Sequence, residues 1–251
     1  MLGQNVIRLE FEGPSDVGLT ALELDPNDFQ SELPEQNWHV YYEDAEIGLS
    51  VGVWTTTSMQ EAFGPYPGNE FMTVLEGQVV LVDGNGNETT VRTGETFVVR
   101  NGYPVSWKQE GFCRKFFLIY HPPDEQEIAD GTNPGVMVMR KNEITEALKT
   151  GPDSAVHESS NDANSLKEAV CFKNSTDKMS VGMVEFTNIG SPVTPNPFHQ
   201  LIQVLDGVIE VTEENGSVFR FSADDAFFIP KGTRCSWKAE GGGRYYFCNV
   251  E

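Results

Sequence analysis

Glu70 is the side chain in this sequence that is best placed to do chemistry. It precedes a short apolar run at 71–75, bounded by glycine, that is typical of a β-strand. Because successive strand residues point to opposite sides, Glu70, Met72 and Val74 are expected to share one inward face. A carboxylate among apolar side chains needs a polar partner. Two interpretations stay open: a ligand-binding or acid/base carboxylate, or a strand-end glutamate held by hydrogen bonds. Tyr66, in the loop before this strand, is expected to line the same opening.

Two tryptophans, Trp107 and Trp237, are further candidates. Each follows by two residues an apolar or thiol side chain, Val105 and Cys235, and is expected to share its inward face. Such rings form the wall of a pocket for an apolar or cationic ligand, or they simply fill the interior. We favour the second interpretation, because a tryptophan occurs at both places.

Arg114 and Arg244 are scarce basic residues in an acidic chain. They are suited to bind an anionic ligand. The alternative, which we favour, is a salt bridge to the neighbouring Glu110 and Glu240 or to acidic residues at the edge of the barrel.

An internal repeat supplies the elements that must position these residues. When the chain is compared with itself, VLEG at 74–77 matches VLDG at 204–207, and SWK at 106–108 matches SWK at 236–238. At this one offset, residues 50–120 match residues 180–250 without a gap. The match places Gln200 at the position of Glu70. We interpret it as a duplication.

Each copy consists of short strand-like runs separated by turn residues, which predicts an all-β sandwich or barrel. A short helix is expected at 143–149, with Asn142 as its N-cap. The predicted domains are an N-terminal barrel at 1–125, a linker with this helix at 126–155, and a C-terminal barrel at 156–251.

The repeat unit resembles the cupins, and most closely the subgroup that includes ethanolamine-utilisation cupins and ureidoglycine aminohydrolase. The resemblance rests on these residues: Glu70-x6-Gly77, Gly94-Glu95-Thr96-Phe97, Asn101-Gly102, Ser106-Trp107 and Arg114-Lys115. It implies two tandem jelly-roll barrels and covers nearly the whole chain.

Metal-binding cupins hold Fe, Mn, Ni or Zn with three histidines and one carboxylate, and this set is largely lost here. In the first copy Glu70 fills the carboxylate position, and the resemblance places the histidine positions at Phe63, Pro65 and Val105. In the second copy the corresponding residues are Gln200, Val193, Pro195 and Cys235. We therefore predict no cofactor, with one of these divalent metals as the alternative.

Composition narrows the remaining classes of partner. The chain has 251 residues with 38 acidic and 17 basic side chains, a net charge of −21, which disfavours nucleic acid and anionic membrane surfaces. The four cysteines form no CxxC pair, and the N-terminus lacks the apolar run of a signal peptide. We expect a cytoplasmic protein with free thiols, a small-molecule ligand and, as a further option, a homodimer.

These observations favour a two-barrel protein that binds a small polar metabolite in its first barrel. The candidate ligand-binding residues are Glu70, Tyr66, Trp107, Arg114, Gln200 and Trp237. The alternatives are a metal-dependent hydrolase or lyase acting on small nitrogen metabolites, and a purely structural or partner-binding module. Whether the protein is an enzyme stays open.

Overall fold

Short β-branched and apolar runs, each closed by a turn residue, form the strands of this chain. The computed structural model describes residues 5–123, 125, 135–140, 142, 144 and 166–251. Gly77 shows why the turns need glycine: its φ is +79°, and a Cβ atom there would lie 2.1 Å from the carbonyl oxygen of Phe112. The described residues form strands, one 3₁₀ turn, η1 (Pro26–Asp28), and helical positions at Asn142 and Ile144, so the predicted all-β class is confirmed.

The chain forms two units, which are named here by their order. The first barrel consists of residues 10–140, and the second barrel consists of residues 141–251 together with the first nine residues. The N-terminal strand β1 (Ile7–Leu9) accordingly pairs with β21 (Ala226–Ile229) of the second barrel. The predicted helix at 143–149 lies almost entirely outside the described residues.

The first barrel is built from two antiparallel sheets. Its strands are β2 (Thr20–Ala21), β3 (Gln36–Asp44), β4 (Leu49–Thr56), β5 (Met59–Gln60), β6 (Gly64–Pro65), β7 (Asn69–Glu76), β8 (Gln78–Asp83), β9 (Glu88–Arg92), β10 (Thr96–Val99), β11 (Pro104–Gln109), β12 (Cys113–Tyr120) and β13 (Val136–Met139). The larger sheet has the order β13-β10-β7-β12-β4-β3-β2. The smaller sheet has the order β5-β11-β8-β9, with β6 also paired to β11.

The second barrel repeats this arrangement. Its other strands are β14 (Leu166–Lys173), β15 (Met179–Phe186), β16 (Ile189–Gly190), β17 (Thr194–Pro195), β18 (His199–Asp206), β19 (Val208–Glu213), β20 (Val218–Ser222), β22 (Arg234–Ala239) and β23 (Gly243–Val250). One sheet has the order β1-β21-β18-β23-β15-β14 and the other β16-β22-β19-β20, with β17 paired to β22. The bounds of β7 to β12 recur in β18 to β23 at the same offset that relates VLEG to VLDG, as a duplication predicts.

In each barrel the inward faces of the two sheets pack against each other. In the first barrel, Met72 and Phe117 of the larger sheet lie in one buried cluster with Leu81 and Trp107 of the smaller sheet. No helix in the described ranges is long and apolar enough to span a bilayer.

Candidate functional site

A buried ion pair lies inside the first barrel. The Nζ atom of Lys115 donates to Oε1 of Glu70 at 2.7 Å, and both side chains are less than a tenth exposed. The hydroxyl of Tyr66 donates to the other carboxylate oxygen of Glu70. Nζ of Lys115 also lies 3.0 Å from the sulfur of Met72. Both oxygens of Glu70 are therefore engaged, and its charge is balanced inside the barrel.

Neighbouring strands of the larger sheet bring this cluster together. Glu70 lies on β7, next to β12, which carries Lys115. The β7–β12 register shifts between Arg114 and Lys115, so that Lys115 is opposite Val74. The extra residue of this bulge is Leu75 on β7, while β12 keeps an unbroken register with β4, so alternation along β12 is preserved at Lys115. Here the lysine stem runs along the inward face past Met72 to reach the carboxylate.

Two tryptophans surround the ammonium group. Nζ of Lys115 lies 4.8 Å from the ring centroid of Trp54 and 4.6 Å from that of Trp107, distances at which a cation is attracted to an aromatic ring. The two rings meet edge to face, with centroids 5.8 Å apart. Their indole N–H groups donate to Gln36 and Gln109, which fixes the orientation of both rings.

A cavity of about 220 Å³ opens beside this cluster. We call it the Glu70 cavity. Its wall combines apolar, aromatic and polar side chains: Leu22, Gln36, Trp38, Trp54, Glu61, Tyr66, Pro67, Glu70, Trp107, Lys115, Phe117 and Ile119. An apolar wall with a few convergent polar groups is typical of small-molecule sites.

Glu61 is a second carboxyl group in the wall of the Glu70 cavity. Burial raises the pKa of Glu61 to about 7; the positive charge of Lys115 opposes this rise, and the negative charges of Glu70 and Asp28 add to it. Burial also raises the pKa of Tyr66 well above its usual value, and the nearby charge of Glu70 adds to that rise. The tyrosine thus stays a hydrogen-bond donor, while Glu61 gains or loses a proton near neutral pH.

Three of the predicted site residues, Glu70, Tyr66 and Trp107, meet in this cavity. Trp107 is 2% exposed and fills part of the interior while also forming a wall. Arg114 does not line the cavity, because the alternation of β12 turns it to the opposite face from Lys115. It pairs with Glu12 at 2.6 Å.

Both arginines form salt bridges, as expected from the sequence, but their partners are not the adjacent glutamates. Arg114 binds Glu12 and not the nearby Glu110. Arg244 binds Asp206 at 2.7 Å and not Glu240. In each case the partner comes from another part of the same barrel, which sequence proximity could not indicate.

The histidine positions assigned to Phe63 and Pro65 are also wrong. Both residues are exposed, and the inward position belongs to Tyr66, which contacts Glu70. The remaining groups do not fit a divalent metal. A metal bound to Glu70 would meet the ammonium of Lys115, a like charge already 2.7 Å from the carboxylate. The described residues also hold no group of three or more histidine, cysteine, aspartate or glutamate side chains that could bind one.

The second barrel replaces the polar cluster with uncharged groups. Asn196, Gln200 and Tyr245 stand at the positions of Tyr66, Glu70 and Lys115. Tyr245 is buried, and its ring lies 6.2 Å from those of Phe186 and Trp237. Trp237 packs against this aromatic interior, and Gln200 lies on β18 on the same face as the buried Ile202.

A shallow groove of about 700 Å³ does lie beside Trp237. Of the three ionic groups that line it, Lys238 and Glu240 are exposed and pair with each other at 3.1 Å, and the third is Glu210. Exposed pairs of this kind contribute little binding energy. The Glu70 cavity, with its buried charges, is the better candidate site.

Sequence reasoning missed Lys115 and Glu61. Lys115 lies two residues before Phe117, so alternation along β12 indicates its inward direction. Glu61 lies after the two-residue strand β5, and no pattern in the sequence marks it.

Comparison with known proteins supports the fold. A family model described as EutQ-like cupin domain matches residues 48–117 and 174–242, more than half of the chain. None of the curated proteins matches the sequence.

Solved structures are similar over nearly the whole chain. One is a protein of unknown function from Pseudomonas syringae pv. tomato, with a TM-score of 0.74, 18% identity, and coverage of 99% of this chain and 100% of that one. A putative dioxygenase from Nostoc punctiforme has a TM-score of 0.61, 12% identity, and coverage of 100% and 84%. A cupin 2 conserved barrel domain protein from Leptotrichia buccalis has a TM-score of 0.58, 9% identity, and coverage of 88% and 91%. At these identities the likeness concerns the fold alone.

Proposed function

Because the chain belongs to the EutQ-like cupin family, we propose that it is a duplicated, two-barrel cupin that binds a small polar metabolite in the Glu70 cavity. The second barrel is mainly structural. The observation that carries this proposal is the buried cluster of Lys115, Glu70 and Tyr66, which borders a cavity in one barrel and is replaced by neutral side chains in the other.

Energetics favour a functional interpretation of this cluster. Two charges taken out of water contribute little net stability, and apolar residues of similar volume often serve a core as well or better. The second barrel illustrates an uncharged solution, with Gln200 and the buried Tyr245 at the positions of Glu70 and Lys115. The first barrel keeps Lys115 and Glu70 next to open space, where a ligand can use them.

The size of the cavity bounds the ligand. A volume of about 220 Å³ corresponds to roughly seven water molecules at their volume in the liquid. This suits a compact metabolite rather than a nucleotide or a peptide. The location in the cytoplasm and the homodimer stay predictions.

A thermal-shift screen of small amines, amino acids and organic acids tests the proposal. A ligand present at one hundred times its dissociation constant stabilises the folded state by about 2.7 kcal/mol. We expect at least one compound to raise the melting temperature of the wild-type protein.

A cavity-filling variant locates the binding. Ile119 lines the cavity and is partly buried, so Ile119→Trp should remove the shift while it leaves the charged groups in place. The matched control is Val218→Trp, at a position in the second barrel that is 60% exposed, and it should keep the shift. The proposal fails if no compound stabilises the wild type, or if Ile119→Trp responds as the wild type does.

A further inference from the structure

Glu61 is the acidic residue in the wall of the Glu70 cavity that is available to a ligand. Both oxygens of the other acidic residue, Glu70, already accept hydrogen bonds, from Lys115 and Tyr66. The described residues offer the side chain of Glu61 neither a hydrogen bond nor an ion pair. Because a carboxylate in partly apolar surroundings needs a partner, the cavity has room for a ligand that supplies one.

The main chain holds Glu61 in place. Its N–H donates to the carbonyl oxygen of Trp107 at 2.8 Å, and its carbonyl oxygen accepts from the hydroxyl of Ser106 at 2.7 Å. Phe29 also pairs with Glu61 in an isolated β-bridge. Since Glu61 is only partly buried, its side chain is a positioned acidic group that a ligand entering the cavity can reach.

The charges in the wall favour a cation. As far as the structure describes it, the wall holds one basic residue, Lys115, against two acidic ones, Glu61 and Glu70. Lys115 lies 2.7 Å from Glu70, so the two charges largely cancel and the charge of Glu61 stays unbalanced. The negative charge of Asp28 also acts on Glu61, and the whole chain carries a net charge of −21. A cation is attracted to such a site, and an anion is repelled.

The rest of the wall favours an organic cation over a metal ion. A hard metal ion needs several oxygen ligands, and the described residues contain no group of three or more histidine, cysteine, aspartate or glutamate side chains that could hold one. Trp38, in contrast, adds a third indole ring to those of Trp54 and Trp107. Lys115 lies beside the latter two. Indole rings attract organic ammonium ions and pack against their apolar parts.

We propose that the Glu70 cavity binds a small organic amine in its ammonium form, with the carboxylate of Glu61 as the counter-ion. This inference rests on the proposed function and specifies its ligand class. The N–H groups of the ammonium donate to Glu61, and the apolar part of the ligand lies against the aromatic wall. No bond in the ligand is made or broken.

Three probes of nearly the same shape test the charge of the ligand: benzylamine, benzyl alcohol and benzoate. Each is titrated calorimetrically into the full chain at pH 8, where Glu61 is mainly ionised because this pH is above its pKa of about 7. Benzylamine should bind at least about tenfold more tightly than the uncharged alcohol, since close charge pairs couple strongly. Benzoate should bind most weakly of the three.

Variants assign the counter-ion. Glu61→Gln removes the charge and keeps the shape of the side chain, so it should weaken benzylamine at least about tenfold and leave benzyl alcohol nearly unchanged. Retained binding of the alcohol also shows that the variant is folded. The matched control is Glu88→Gln, at a residue of the same barrel whose side chain is 53% exposed. It removes the same charge from the chain and should bind all three probes as the wild type does.

Several results would overturn the inference. They are binding of benzyl alcohol or benzoate that is as tight as that of benzylamine, an equal change for benzylamine and benzyl alcohol in Glu61→Gln, an equal loss of benzylamine binding in Glu88→Gln, and no binding of any probe. The proposed function is judged separately by the wider screen, since a ligand of another class that loses its effect in Ile119→Trp would uphold it.

Discussion

Replacing Lys115 with methionine should destabilise the first barrel more than any change at an exposed lysine. Methionine keeps an unbranched stem of similar length, so the change removes the charge with little loss of packing. Glu70, which is 4% exposed, would keep one hydrogen bond from Tyr66 and lose its ionic partner. A buried charge without a partner is expensive.

The size of the effect follows from the geometry. Breaking a buried ion pair by removing one partner costs about 3–5 kcal/mol, and the hydrogen bond kept by Tyr66 favours the lower end. The contacts of the ammonium with Trp54 and Trp107 contribute roughly 0.5–1 kcal/mol each. We expect a loss of about 4 kcal/mol, equivalent to roughly 10–15 °C in the melting temperature of a domain of this size.

Denaturant unfolding followed by tryptophan fluorescence measures this loss. Three of the four tryptophans, Trp38, Trp54 and Trp107, lie in the first barrel, so the signal reports mainly on that unit. The matched control is Lys108→Met, because Lys108 pairs with Glu88 at 3.4 Å with both side chains about half exposed. That control should cost less than about 1 kcal/mol.

The double variant Lys115→Met with Glu70→Gln separates lost pairing from lost packing. Since it removes both charges, it should recover at least half of the loss seen in the single variant. The reasoning is refuted if Lys115→Met costs no more than Lys108→Met, or if the double variant is as unstable as the single one.

Three further predictions concern neighbouring features. Tyr66→Phe removes the hydrogen bond to Glu70 and should cost about 1.5–3 kcal/mol in denaturant unfolding; a loss below about 0.5 kcal/mol would contradict the bond. Since the pKa of Glu61 rises from 4.5 to about 7 on folding, the unfolded chain releases this proton first as pH rises. Stability should therefore fall by up to about 3 kcal/mol across that window, and a pH series in which Glu61→Gln falls as steeply as the wild type would contradict the assignment. A Cβ atom at Gly182 would lie 2.1 Å from the carbonyl oxygen of Ala169, so Gly182→Ala should cost about 2–3 kcal/mol, and an unchanged thermal melt would argue against this packing.

The sequence was sufficient to predict the fold, because the repeat and the turn residues impose it locally. The glycine-bounded runs mark strands such as β7 and β18, and their bounds keep the constant offset of the repeat. The placement of β1 could not be predicted in this way. This short strand pairs with β21, near the other end of the chain, and so few residues carry no pattern that specifies a partner.

The site was predictable in part, on the strands where alternation holds. The alternation of side chains along these strands indicates that Glu70 and Trp107 point inward, and the structure shows both in the wall of one cavity. Alternation says nothing about Glu61, which follows a strand of two residues. The partner of Arg114 was equally inaccessible, because Glu12 lies far from it in sequence, before the repeat begins.

The oversight at Lys115 has a general physical reason. Recurrence between the copies drew attention to Arg114 and Arg244, both of which form salt bridges outside the Glu70 cavity. Two copies of one fold share the residues that the fold needs, whereas a ligand site in one copy needs residues that the other copy can lose. Lys115 has Tyr245 at its matched position. In a duplicated barrel, a position that carries a buried charge in one copy and a neutral ring in the other is therefore the more informative guide to the site.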